Sequence, residues 1–165
     1  MADPSILHDR VREALETSGI SAFEVLPCAP ELADTAEFCA HYGISADEAC
    51  NAILVALKTN PRRYIACLVR ADTKLDVNRK VSELTGVKRL SFASGEETAA
   101  LTGMMIGGVT IPGLPPDVPI YLDERVMERP QIILGGGNRS SKIRLAPHEL
   151  LKLPNASLAD VAVPR

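Results

Sequence analysis

Leu7, Val11, Ala14 and Leu15 recur at helical spacing, with Asp3 or Ser5 placed to cap the start and Gly19 to stop the last turn, so the chain is expected to open with a helix. A strand follows near Phe23 to Leu26, ended by Pro27 and Pro30. Asp34 to Gly43 reads as a short helix capped by Asp34 or Thr35 and closed by glycine, and Ser45 or Ala46 opens a brief helical turn through Asp47, Glu48 and Ala49. At Asn51 the period changes. Ile53-Leu54-Val55-Ala56-Leu57, a polar turn from Lys58 to Arg63, and Tyr64-Ile65-Ala66-Cys67-Leu68-Val69 read as an antiparallel hairpin, and its nearly continuous apolar character calls for cover on both faces. A helix around Val77 to Leu84 ends at Gly86, a short strand runs from Lys88 to Phe92, and a helix from Glu96 to Leu101 ends near Gly103. Strands at Gly107–Ile111, Pro119–Leu122, Gln131–Leu134 and Lys142–Leu145 follow at close intervals. Pro147-His148-Glu149-Leu150-Leu151 starts a last helical turn, and the tail after Pro154 is expected to fray.

The second half lacks the helical crossovers of a parallel βαβ array, which argues against a doubly wound nucleotide-binding sheet. The expectation is an α+β fold: one domain over residues 1–165, with a curved, mostly antiparallel, barrel-like mixed sheet flanked by helices. At 165 residues one core suffices. A net charge of −3 with acids and bases interspersed excludes a polycation that coats nucleic acid, although it allows a local basic patch. The apolar runs Ile53–Leu57 and Met104–Val109 are far too short to span a membrane, and Asp3, His8 and Asp9 interrupt any secretory signal, so a cytoplasmic protein is expected. Cys28, Cys39, Cys50 and Cys67 form no C-x-x-C pair and read as reduced, mostly buried thiols; no metal or other cofactor is expected.

Candidate chemistry centres on two glycine turns. Gly107-Gly108-Val109-Thr110-Ile111-Pro112-Gly113 and Gly135-Gly136-Gly137-Asn138-Arg139-Ser140-Ser141-Lys142 both adjoin β-branched runs, and glycine lets main-chain N–H groups approach a carbonyl or phosphate oxygen. The same turns also suit plain hairpins or bulges. There is no G-x-S-x-G elbow, no phosphate-binding loop ending in Lys-Ser/Thr and no H-E-x-x-H helix. His8, His41 and His148 lie far apart on stretches that read as exposed helix faces, and Ser140 and Ser141 sit in a turn where hydroxyls commonly bond backbone. An enzyme with this sequence would work mainly by positioning.

Asp34-Thr35-Ala36 with Gly43, Ile44 to Asn51 running into Ile53-Leu54-Val55, Leu75-Asp76, Leu101-Thr102-Gly103 with Gly107-Gly108-Val109-Thr110, Tyr121-Leu122-Asp123, and Gly135-Gly136 before Ile143 together resemble the YbaK family. That family includes free-standing homologues of the editing domain inserted in bacterial prolyl-tRNA synthetases. The resemblance covers roughly residues 20–151. It implies a barrel-like mixed sheet flanked by helices, and trans-editing: hydrolysis of the ester joining a wrong, small amino acid to the 3′ end of a tRNA such as the proline tRNA. The partners it implies are tRNA and an aminoacyl-tRNA synthetase. Such an ester is already activated, and the neighbouring 2′-OH can help position water; the protein must orient the ester and offer donors to its carbonyl oxygen.

Where many relatives place a lysine at the entry to the first long strand, this chain has Asn51; Ile111 intervenes before Pro112; and Lys142 stands where many relatives carry an acid. A cation moved across the pocket is one reading, and Lys142 decorating a hairpin is the other. On these readings Gly107, Gly108, Thr110, Asn51 and Lys142 act at the ester, while Thr35, Met105, Pro112, Gly113, Gly135, Gly136 and Arg139 hold the substrate. A side chain at Gly108 is expected to fill the carbonyl's space and leave the fold intact. Arg139 and Lys142 are phosphate candidates. Arg62, Arg63, Lys74, Arg79, Lys80, Lys88 and Arg89 could extend a basic surface, and the low aromatic content disfavours a stacking platform. The alternative to an enzyme is a non-catalytic module of the same fold that binds an aminoacyl-tRNA end, an amino acid or a nucleotide.

Overall fold

The computed structural model describes residues 3–165. Among the described residues there are four α-helices. Helix α1 (Asp9–Thr17) buries Val11 and Leu15 on one face, and its first turn is capped by the His8 side chain, which accepts from the Arg10 amide at 3.1 Å. Asp3 caps only the 3-10 turn before it. Helix α2 (Thr35–Tyr42) begins after Asp34, buries Phe38 and stops at Gly43 in the left-handed conformation. A π-turn at Val77–Val81 runs into α3 (Ser82–Thr85), and α4 (Gly95–Thr102) starts with a full capping box between Ser94 and Glu97.

The strands are β1 (Phe23–Pro27), β2 (Cys50–Leu57), β3 (Arg63–Arg70), β4 (Thr73–Leu75), β5 (Leu90–Phe92), β6 (Ile120–Asp123), β7 (Ile132–Gly135), β8 (Ser141–Leu145), β9 (Ala156–Ala159) and β10 (Ala162–Pro164). They form a five-stranded sheet in the order β5-β2-β3-β6-β9, a three-stranded sheet β1-β8-β7, and a β10-β4 ribbon. The expected hairpin is present, with Cys50 opposite Arg70 and Leu57 opposite Arg63. Most ladders are antiparallel, but β6 pairs in parallel with both β3 and β9. The sheet does not close: β5 and β9 remain its edges. A bridge between Ala49 and Ile133 joins the start of β2 to β7, so the two larger sheets wrap a shared core that includes Leu15, Leu68, Ile120, Leu134 and Ile143.

Two expectations are corrected. Gly107–Ile111 is not a strand but part of an irregular segment between α4 and β6. Gly107 sits at φ +91°, and the segment bonds the turn after β7 instead of a ladder: the Gly137 amide donates to the Gly108 carbonyl at 2.7 Å, and the Met105 amide to that of Gly137 at 3.1 Å. The tail after Pro154 is also ordered. It supplies β9 and β10, and the carboxylate of the fully buried Asp123 accepts from the amides of Val161 and Ala162 at 3.0 and 3.1 Å.

Candidate functional site

The start of α2, the entry of β2, the irregular glycine segment and the β7–β8 turn converge on a cavity of about 130 Å³ lined by Asp34, Thr35, Cys50, Asn51, Ala52, Gly107, Val109, Gly135 and Lys142. Five of the expected site residues, Thr35, Asn51, Gly107, Gly135 and Lys142, therefore meet. Thr35 donates its hydroxyl to Asn51 Oδ1 at 2.5 Å. That fixes the amide with its Nδ2 hydrogens free, because among the described residues Nδ2 has no other partner. Asn51 carries no charge, yet it offers oriented donors of the kind that stabilise a developing oxyanion.

Lys142 is no surface decoration: it is 6% exposed. It projects from β8, opposite Gly135 on β7 and Leu26 on β1, and its Nζ donates to the Ala33 carbonyl at 2.6 Å and lies 5.2 Å from the Phe38 ring centre. Burial holds its ammonium below the usual lysine range, an effect that the nearby Cys28 and Asp34 partly oppose. Arg139 does not reach into the cavity. Its guanidinium ties three segments together, donating to the carbonyls of Pro30 and Ile106 at 2.9 and 3.0 Å and to Asp34 Oδ1 at 3.1 Å. A loop clamp, rather than a free phosphate fork, is its observed role.

The remaining expected residues lie elsewhere. Gly108 packs away from the cavity: a Cβ there would stand 2.0 Å from the Asn138 carbonyl oxygen, and its amide is already bonded to the Met105 carbonyl at 2.9 Å. Gly108 is thus required by loop-on-loop contact, and the expectation that a side chain there would spare the fold is corrected. The amides of Gly107 and Val109 make no hydrogen bond among the described residues and are the available main-chain donors. Gly136 is pressed against Ser141. Thr110 is fully buried outside the cavity, with no hydrogen-bond partner for its hydroxyl among the described residues. Met105 is 53% exposed, Pro112 is buried, and Gly113 backs onto Arg10 of α1.

No ordinary nucleophile lines the cavity. Burial pushes the Cys50 thiol up to about 12, so it stays protonated near neutral pH. Ser140 and Ser141 both direct their hydroxyls at Asn138 Oδ1, at 3.2 and 2.7 Å. The seven other cations do not form one free patch, since Arg62 pairs with Glu97, Arg79 with Asp76 and Lys80 with Asp160. Asp34, Cys50, Ala52 and Val109 were not foreseen as lining residues. In the sequence Asp34 reads as a helix cap and as part of the stretch that carries the family resemblance, and Val109 belongs to the glycine turn and to a segment expected to be a strand.

The cavity is thus lined by hydrogen-bond donors and one buried cation, with no free nucleophile, and it lies between two sheets. The sequence model of one family, described as the aminoacyl-tRNA editing domain, matches residues 29–153, and the chain belongs to that family. It is 28% identical over 109 residues to EbsC of Enterococcus faecalis, a candidate Cys-tRNA(Pro)/Cys-tRNA(Cys) deacylase; the match covers 66% of this chain and 64% of that protein's length. Two crystal structures share the fold at 28% identity. The hypothetical protein APE2540 has a TM-score of 0.83 over 94% of this chain and 100% of its own. A candidate trans-editing enzyme for prolyl tRNA synthetase has a TM-score of 0.81 over 99% of each chain. Among the described residues no helix is long and apolar enough to cross a membrane.

Proposed function

We propose that this chain, as a single editing domain in the cytoplasm, hydrolyses the ester between a small, wrongly attached amino acid and the 3′ end of a tRNA. The observation that carries the reading is the pairing of a Thr35-fixed Asn51 amide with the buried Lys142 across a cavity of about 130 Å³. That space equals roughly four water volumes, enough for an alanyl, seryl or cysteinyl group and tight for an aromatic one. The ester carbonyl accepts from Asn51 Nδ2 and from the amides of Gly107 and Val109, and Lys142 supplies the field that favours the developing oxyanion. Water adds to the carbonyl carbon, the acyl–oxygen bond breaks, and the departing ribose oxygen takes the proton that the water gives up.

The names of the relatives direct attention to the proline tRNA, with action beside prolyl-tRNA synthetase as the finer proposal. The experiment is a panel of tRNAs charged with alanine, serine, cysteine, proline or phenylalanine, incubated with the protein and with Asn51→Ala. Release of a small amino acid by the wild type, reduced in the variant, is the expected result. Binding of charged tRNA without any release would instead identify a non-catalytic module.

A further inference from the structure

An aminoacyl ester brings a second polar group into the cavity besides its carbonyl. This is the α-ammonium, a positively charged cluster of donors attached to the carbon next to the carbonyl. The Asn51 amide, the free main-chain amides and the Lys142 ammonium suit the carbonyl oxygen, and all of them are donors. An ammonium needs an acceptor, and Asp34 is the one carboxylate among the lining residues.

Asp34 holds the cap position of α2, where an Asp side chain ordinarily accepts from the helix amides, yet its carboxylate makes no such bond. It is turned to Arg139 instead: Oδ1 accepts from the guanidinium at 3.1 Å, and Oδ2 has no partner among the described residues. Arg139 is itself pinned on the Pro30 and Ile106 carbonyls, so the carboxylate is oriented by a fixed side chain. Gly107 shows how close this pair comes to the carbonyl donors. A Cβ there would press into the Arg139 guanidinium and stand 2.9 Å from Asp34 Oδ1. The carboxylate therefore sits beside a residue whose amide is available to the ester oxygen, within reach of an α-nitrogen on the neighbouring carbon. Asp34 also lies close enough to Lys142 to favour its ammonium. With an ester bound, charge would alternate from Lys142 through the developing oxyanion and the α-ammonium to Asp34, so that each cation has an anion beside it.

We propose that Asp34 receives the α-ammonium of the aminoacyl group through Oδ2 and makes a free, charged amine a condition of tight binding. The inference rests on the deacylase reading for the identity of its ligand. It gives the site a way to spare peptidyl-tRNA, whose amine is acylated and uncharged, by a single contact at the first residue.

The test is calorimetric titration of two amides that need no hydrolysis, alanyl and lactyl 3′-amino-3′-deoxyadenosine. They are of nearly one size and differ only by an ammonium against a hydroxyl on the α-carbon. The wild type should bind the alanyl amide about tenfold more tightly, the low end for a hydrogen bond between charged groups, because the Asp34 side chain is 60% exposed. Asp34→Asn keeps an acceptor for Arg139 and loses the charge, and it should bind the two amides about equally. Equal wild-type affinity for the two, a preference that survives Asp34→Asn, or no binding of either amide overturns the assignment while an observed deacylation stands. An Asp34-dependent preference in a protein that releases no amino acid from any charged tRNA supports the ammonium seat and overturns the deacylase reading.

Discussion

Lys142→Met removes the buried charge and keeps most of the stem that packs on Phe38. A cavity of 130 Å³ is about 6 Å across, so a cation on its wall lies within about 6 Å of any oxyanion formed inside it. At an effective dielectric of about 20, a unit pair at that distance interacts by roughly 3 kcal/mol. That is about a hundredfold in rate for full charge and nearer tenfold for the partial charge of a transition state. Stability changes separately. The same Nζ donates to the Ala33 carbonyl at 2.6 Å, and stranding that oxygen costs about 1–3 kcal/mol, offset in part because no charge is buried any longer. Single-turnover deacylation, read below the variant's melting transition, isolates the rate effect.

The pH dependence has a definite sign. Burial lowers the Lys142 pKa, so between its folded value and the ordinary lysine value the unfolded chain binds the extra proton and stability rises with pH. A cation-dependent rate falls across that same window, beginning below the usual lysine range. Lys142→Arg, which keeps its proton, should remove the fall, and Asn51→Lys with Lys142→Asp should regain part of the lost activity. A Lys142→Met protein that turns over at the wild-type rate would refute the cation's role.

Gly108→Ala forces a Cβ against the Asn138 backbone and should lower Tm by about 2–10 °C, read by calorimetry; an unchanged Tm would contradict the loop contact. Esters of alanine, serine and cysteine should be cleaved at least about tenfold faster than those of phenylalanine, since misfit in a small pocket is worth about 1–3 kcal/mol, and equal kcat/KM values would remove the size argument. Asp123→Ala strips the Val161 and Ala162 amides of their acceptor and should lower Tm on the order of 10 °C; a melting curve matching wild type would show that the tail is not held there.

What the sequence made legible was local. The β2–β3 hairpin follows from two apolar runs around a polar turn, and α2, α3 and α4 end at Gly43, Gly86 and Gly103 because glycine enters the left-handed region without strain. The failures were long-range. Val109-Thr110-Ile111 has the β-branched character of a strand, but Gly108 is committed to backbone more than twenty-five residues away, which no local pattern reveals. β9 and β10 are short and carry little periodicity; their order comes from the parallel partner β6, the ribbon partner β4 and the buried Asp123. Of the residues that line the cavity, Gly107 and Gly135 stand out in the sequence as glycine turns and Thr35, Asn51 and Lys142 through the family resemblance, whereas the burial of Lys142 and the clamp made by Arg139 required tertiary structure.

The resemblance implies that relatives commonly carry their lysine at the Asn51 position, and in this chain a lysine on β8 lines the same cavity as Asn51. β8 is the central strand of its sheet, held by ladders to β1 and β7 on both sides, so Lys142 springs from backbone that cannot shift independently. Asn51 lies where β2 is paired with β3 alone, since the β5 ladder begins only at Val55, and it owes its fixed orientation to Thr35. Charge and oriented dipole therefore reach the same cavity from two different sheets. If both act on one oxyanion, the losses in Asn51→Ala and Lys142→Met should combine to less than their sum, because either alone already spoils the arrangement the other needs. Strict additivity in single-turnover rates would place the two residues on different atoms of the substrate.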